Sequence, residues 1–179
     1  MILIRHGQSE FNAVYTVSRV DPGIPDPALT DLGRQQAQSA AERLAAMEVR
    51  RLIASPYTRA LQTAAIIAER LGLAIEVDPL VRERAAFHCD IGTRKHELKT
   101  RFPALRFDHL DDPWWHDHIG LGVEETEASV AARCESFRRA MFGLPDRRHV
   151  AVVTHWGFIR AMTGRTVPNG EVVPVEELL

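Results

Sequence analysis

Cysteine is scarce in this 179-residue chain: only Cys89 and Cys134 occur. Two cysteines make no disulfide framework, their spacing is not that of a metal site, and a reducing cytoplasm is the expected compartment. No apolar run approaches the ~20 residues that cross a bilayer, so a membrane role is not expected. Met1 to Ile4 runs directly into Arg5-His6, without the basic leader, long apolar region or cleavage site of a secretory signal. Excess charge is missing as well. Twenty-two Lys and Arg against 24 Asp and Glu leave a formal charge of -2, which gives no global attraction to nucleic acid or an anionic membrane. An anionic substrate would have to be caught by local positive charge. Internal repeats and low-complexity tracts are absent, and no feature bears on oligomeric state.

What is present reads as an ordinary globular domain, with 45% hydrophobic and 26% charged residues. Its length suits one domain over residues 1–179. Met1 to Ile4, Leu52 to Ala54, Ala74 to Val77 and His149 to Thr154 are short apolar runs of the kind buried strands make. Between them lie helical patterns. Thr30 is placed to cap one helix, Ser55 and Pro56 to open another that Gly72 ends, and Thr126 to cap a third. A further helix begins near Phe158. Residues 84–122 show weak periodicity, with a short helical piece around Glu97 to Phe102, and read as an excursion that covers the active site. Alternating strands and helices predict an α/β fold, a three-layer α/β/α sandwich around a mostly parallel sheet.

Such sheets bind ligands beyond the carboxyl ends of their strands. The first strand runs into Arg5 and His6, the second into Ser55 and then Arg59, and the late strand into Thr154 and His155. Parallel strands would bring two imidazoles and two guanidiniums to one edge, beside helix N-termini that favour anions. Guanidinium forks match the oxygens of a tetrahedral, doubly charged group. Arg59 in a first helical turn is itself unfavourable unless an anion is nearby. His109, His116 and His118 lie in an Asp-rich stretch with Asp111 and Asp112, and could be read as metal ligands. The spacing supports no closed site, so a polar loop is expected there and no metal or cofactor.

Leu3-Ile4-Arg5-His6-Gly7-Gln8-Ser9-Glu10-Phe11-Asn12 resembles the signature of the histidine phosphatase superfamily, also called the phosphoglycerate mutase-like family. The likeness continues, in the family's order, through Leu29 to Ala37, Ser55 to Ala64, Arg82-Glu83-Arg84 and Thr154-His155-Trp156-Gly157. This resemblance implies a phosphoglycerate mutase-like fold and assigns roles. His6 would attack phosphorus and become phosphohistidine. Arg5, Arg59 and His155 would hold the phosphoryl oxygens, with Asn12 an auxiliary donor. Glu83 would protonate the leaving alcohol and then activate water. Glu76, Asp78 and Asp90 are neighbouring carboxylates that could compete for that role.

The chain departs from the mutases of the family. Val20 to Pro25 replaces a Phe-Thr-Gly-Trp segment, and no Arg-Arg pair occurs between Glu83 and Gly122. Both losses favour water as the acceptor, hence a metal-independent phosphatase acting on a small phosphorylated substrate or a phosphoprotein. A cofactor-dependent mutase, a catalytically weak phosphate-binding module and a metal-dependent hydrolase are the alternatives. Trp156, directly after His155, would wall the pocket, and Trp114 and Trp115 are further candidates for the substrate mouth.

Overall fold

Alternation inside the short apolar runs decides how the sheet is covered. Ile2–Arg5 forms β1, Arg51–Ala54 β2, Ile75–Val77 β3 and Val150–Thr154 β4. In the computed structural model, which describes residues 1–175, these four strands pair in parallel in the order β3-β2-β4-β1. Val172–Pro174 adds β5 antiparallel to the outer side of β1. Successive side chains of a strand face opposite ways. Ile2 and Ile4 accordingly enter one core and Leu3 the other.

Helices cover both faces. Glu10–Ser18 is α1, Asp31–Ala45 α2 and Thr58–Leu71 α3. Ala40, Ala41 and Leu44 of α2 pack with Ala60, Leu61, Ala64 and Ile67 of α3 over Leu52, Ala151 and Val153. Lys95–Arg101 (α4) and His118–Leu121 (α5) lie within the excursion. Glu127–Phe142 (α6) and Trp156–Thr163 (α7) cover the opposite face, where Phe137 meets Phe158 over Val150, Val152 and Val173. Each large apolar side chain so buried contributes about 1.5–3 kcal/mol. The architecture is the expected α/β/α sandwich. None of the described helices is long and apolar enough to cross a membrane.

Helix α1 and strand β5, like α5 inside the excursion, were not legible beforehand. Helix α1 buries only Phe11, so no apolar stripe announces it; a Ser9–Asn12 capping box starts it instead. Strand β5 has three residues and closes the sheet's edge. The start of α3 differs from expectation, at Thr58 rather than Pro56. Ser55 Oγ is bonded to His155 Nε2 at 2.8 Å. The cap comes from far away: the buried Asp26 carboxylate accepts from the Thr58 amide at 2.8 Å and from its hydroxyl at 2.6 Å. Thr93 donates to the same carboxylate.

Residues 84–122 are not structureless. Leu98, Phe107, Leu110, Trp114 and Trp115 join the core on the α2–α3 side. The buried Trp114 edge meets Tyr57 with ring centroids 4.7 Å apart. Its indole N–H donates to the Thr93 carbonyl at 2.8 Å.

Candidate active site

The register Arg5↔Thr154 and Ala54↔Val153 aligns the carboxyl ends of β1, β4 and β2. His6, His155 and Ser55 are therefore the next residues of three adjacent strands. The His6 and His155 rings lie 5.0 Å apart between centroids. In front of them opens a cavity of about 640 Å³ whose lining includes Arg5, His6, Asn12, Arg59, Glu83 and Trp156. His155 is fully buried behind His6, its Nε2 against Ser55. Trp114 and Trp115 are not at this mouth. The Trp114 indole is buried against Tyr57 and Trp115 packs edge-on against Trp114, which completes the α2–α3 core.

His6 is held in one tautomer. Its Nδ1 lies 2.7 Å from the Gly7 carbonyl oxygen, which can only accept, so Nδ1 carries the proton and Nε2 keeps its lone pair. Burial, reinforced by the Arg59 and Arg5 guanidiniums, holds the imidazole well below its ordinary value. The neutral form is the resting one. Gly7 permits the turn: a side chain there would meet the Gly33 carbonyl oxygen at 2.2 Å.

Arg59 is fixed before any ligand arrives. One Nη donates to the Cys89 carbonyl at 2.7 Å and the other to Asp90 Oδ1 at 3.1 Å. Its guanidinium lies 4.4 Å from the Tyr57 ring centre. Both groups of this ion pair are buried. Asp90 was seen in sequence only as a rival acid. Its other oxygen accepts from the Ala86 and Phe87 amides, both at 3.1 Å. It thus supplies part of the negative charge that Arg59 needs in its helical turn. Contact between residues 31 apart leaves no local trace in the sequence. Arg5 donates to the Val167 carbonyl at 2.6 Å, while its buried Nε has no partner among the described residues.

Glu83 sits at the N-terminus of α7. Its Oε1 accepts from the Gly157 and Arg84 amides, both at 2.9 Å. A side chain at Gly157 would meet that oxygen at 2.4 Å, so glycine is what lets the carboxyl reach the helix end. Burial, with the Asp90 charge, pushes Glu83 above the usual carboxylate range, against the two amides and Arg59. Asn12 Oδ1 is occupied by the Ser9 amide at 3.1 Å and by Asn169 Nδ2 at 3.2 Å. All are donors, which orients the Asn12 side chain with its NH₂ away from them. Asn169, which also donates to the His6 carbonyl at 3.1 Å, was not anticipated.

Two of the histidines considered as metal ligands are turned to backbone. His109 meets the Val77 carbonyl at 2.8 Å and His116 the Val123 carbonyl at 2.9 Å. His118 begins the short helix α5 rather than lying in an irregular loop. No group of three His, Cys, Asp or Glu side chains among the described residues could hold a metal ion.

This arrangement has known counterparts. A family model described as the histidine phosphatase superfamily (branch 1) matches residues 1–171. A glucosyl-3-phosphoglycerate phosphatase of Mycolicibacterium vanbaalenii is 32% identical over 166 residues, covering 91% of this chain and 72% of the relative. A probable phosphoglycerate mutase GpmB of Proteus mirabilis is 31% identical over 157 residues, covering 86% and 67%. Among solved structures, a mycobacterial glucosyl-3-phosphoglycerate phosphatase in complex with VO3 superposes with a TM-score of 0.65 at 27% identity, covering 96% of this chain and 88% of that one.

Proposed function

Because the chain belongs to branch 1 of the histidine phosphatase superfamily, we propose that it is a metal-independent phosphomonoester hydrolase working through phosphohistidine on His6. The observation that carries this reading is the His6 ring: neutral, Nδ1 committed to the Gly7 carbonyl, Nε2 free beside Arg5 and Arg59. In the first step Nε2 attacks phosphorus and the ester P–O bond breaks. The leaving oxygen takes the Glu83 proton. In the second step water loses a proton to Glu83 and attacks phosphorus, the P–N bond breaks, and orthophosphate leaves. Splitting the displacement in two is covalent catalysis. Arg5 and Arg59, with His155 through Nδ1, the ring nitrogen that Ser55 leaves without a partner, and the Asn12 NH₂ as auxiliary, stabilise the charge on the three transferring oxygens, the role a metal ion has in other phosphatases. Asp90 is committed to Arg59, Glu76 pairs with Arg51 and Asp78 accepts from the Leu80 amide, which supports Glu83 as the acid and base.

The substrate class is a small phosphorylated metabolite, as the names of the phosphatase relatives suggest; a phosphoprotein is the wider alternative. We assign residues 1–179 to one domain whose 84–122 excursion covers the site through its first residues, Arg84 to Asp90. Two buried free thiols suit a cytoplasmic location. The GpmB-type relative supports a second reading, a mutase. Phosphate release from an aryl phosphate in the presence of chelator, abolished in His6→Ala, is the expected result. Unchanged turnover in His6→Ala would refute the proposal. Interconversion of phosphoglycerates faster than phosphate release would establish the mutase instead.

A further inference from the structure

Five arginines line the cavity, in a chain whose net charge is -2. Arg59 is matched by Asp90, and Arg84 by Glu124 at 2.8 Å and Glu127 at 3.4 Å. Arg5 is left for the phosphoryl group. Arg19 and Arg160 remain, and neither has an acidic partner among the described residues. Each is braced on an aromatic ring instead. Arg160 lies 5.3 Å from the centre of Trp156, one turn back along α7, and Arg19 5.9 Å from the centre of Tyr15. In the same lining, Phe11, Tyr15 and Phe87 form one aromatic wall, with centroids 5.1–5.6 Å apart.

A phosphate alone would use little of this space. The volume is that of pockets for whole organic ligands, about 300–1,000 Å³. Guanidiniums that rest on aromatic rings and lack counter-ions are suited to forked pairing with an anion. Resting on the phosphatase reading above, we propose that the leaving group of the substrate carries a second anionic group, carboxylate or phosphate, received by Arg160 and Arg19 across the aromatic wall. The apolar body of the leaving group lies along Phe11, Tyr15 and Phe87. Arg160 is the principal contact because it stands on the helix whose first turn holds Glu83, so the second anion and the acid share one rigid element.

The test compares three aryl phosphates of similar size bearing a para carboxamide, carboxylate or second phosphate. Wild-type kcat/KM should favour the charged pair over the carboxamide by roughly tenfold or more, as charge-assisted hydrogen bonds do. Added salt should shrink the preference. In Arg160→Gln the ratio should fall toward one, and in the Arg19→Gln, Arg160→Gln double variant it should vanish, the ratio rather than the absolute rate being the readout. Preference for only one charged ester would identify the anion. Turnover of all three esters without charge preference, or a preference surviving in the double variant, would overturn the subsite and leave the phosphatase standing. No turnover of any of them, matching His6→Ala, would overturn both.

Discussion

At the scale of single residues, the site rests on two groups whose proton affinities are moved in opposite directions, His6 downward and Glu83 upward. Burial, with Arg59 and Arg5, lowers His6 well below its ordinary value and favours the neutral imidazole; burial, with Asp90, raises Glu83 and favours its protonated form. Activity then needs a pH above the lowered His6 value and below the raised Glu83 value. The rate should fall on the acid side only well under 6.5, as His6 gains a proton. It should fall on the alkaline side above the ordinary carboxyl value of 4.5, as Glu83 loses one. The profile of kcat/KM should be bell-shaped, with His6 setting the acid limb and Glu83 the alkaline limb. Glu83→Gln should remove the alkaline limb and slow turnover of esters with poor leaving groups by about 10²–10⁴-fold. Asp90→Asn should strand Arg59 as a buried cation at a cost of about 3–5 kcal/mol. Thermal melts should then show phosphate or vanadate raising the midpoint more in the variant than in the wild type, because the ligand supplies the missing anion. His6, Arg59 and Glu83 stood out in sequence because their neighbours form recognisable blocks. Asp90 and Asn169 did not, since their roles depend on contacts far along the chain.

At the scale of elements, helix N-termini do most of the positioning. Helix α7 binds the Glu83 carboxyl through the Gly157 amide, and α3 is capped by Asp26 from another loop. Gly157→Ala would put a methyl group 2.4 Å from the Glu83 oxygen and push it aside. The variant should fold, since the core residues Phe158 and Ile159 are untouched. Its kcat should drop by roughly 10²-fold, as for a catalytic group misplaced by about 1 Å, while inhibition by orthophosphate stays within a few-fold. The long helices and β4 were legible because their apolar spacing is regular. Helix α1, with one buried residue, and three-residue β5 carry too little pattern to be read, and the start of α3 shifts because its cap is non-local.

At the scale of the molecule, the layer behind the sheet fixes the segment that bears Glu83. Arg133 of α6 donates to the carbonyls of Leu80, Arg82 and Glu83 and to both oxygens of the buried Glu125, which Arg82 also contacts at 3.0 Å. Burial alone would raise the Glu125 carboxyl; hydrogen bonds from Arg133 and the charges of Arg133 and Arg82 outweigh it and hold the group below its ordinary value. Such a carboxylate stabilises the fold fully above its unfolded value and loses that contribution as pH falls through the lowered one. Arg133→Met should therefore cost about 3–5 kcal/mol near neutral pH, and the deficit should narrow in acid, as chemical unfolding across pH would register. The layered architecture could be anticipated from alternating elements. The inward turn of Trp114 and Trp115 could not, because an aromatic pair in an irregular segment fits a core as well as a mouth.

The direct test is to locate the transferred phosphoryl group. Wild-type protein quenched during turnover should carry phosphate on the tryptic peptide His6–Arg19, stable in alkali and lost in acid. Assignment of that phosphate to Ser9, Tyr15, Thr16 or Ser18, or an equally labelled His6→Ala protein, would contradict the account.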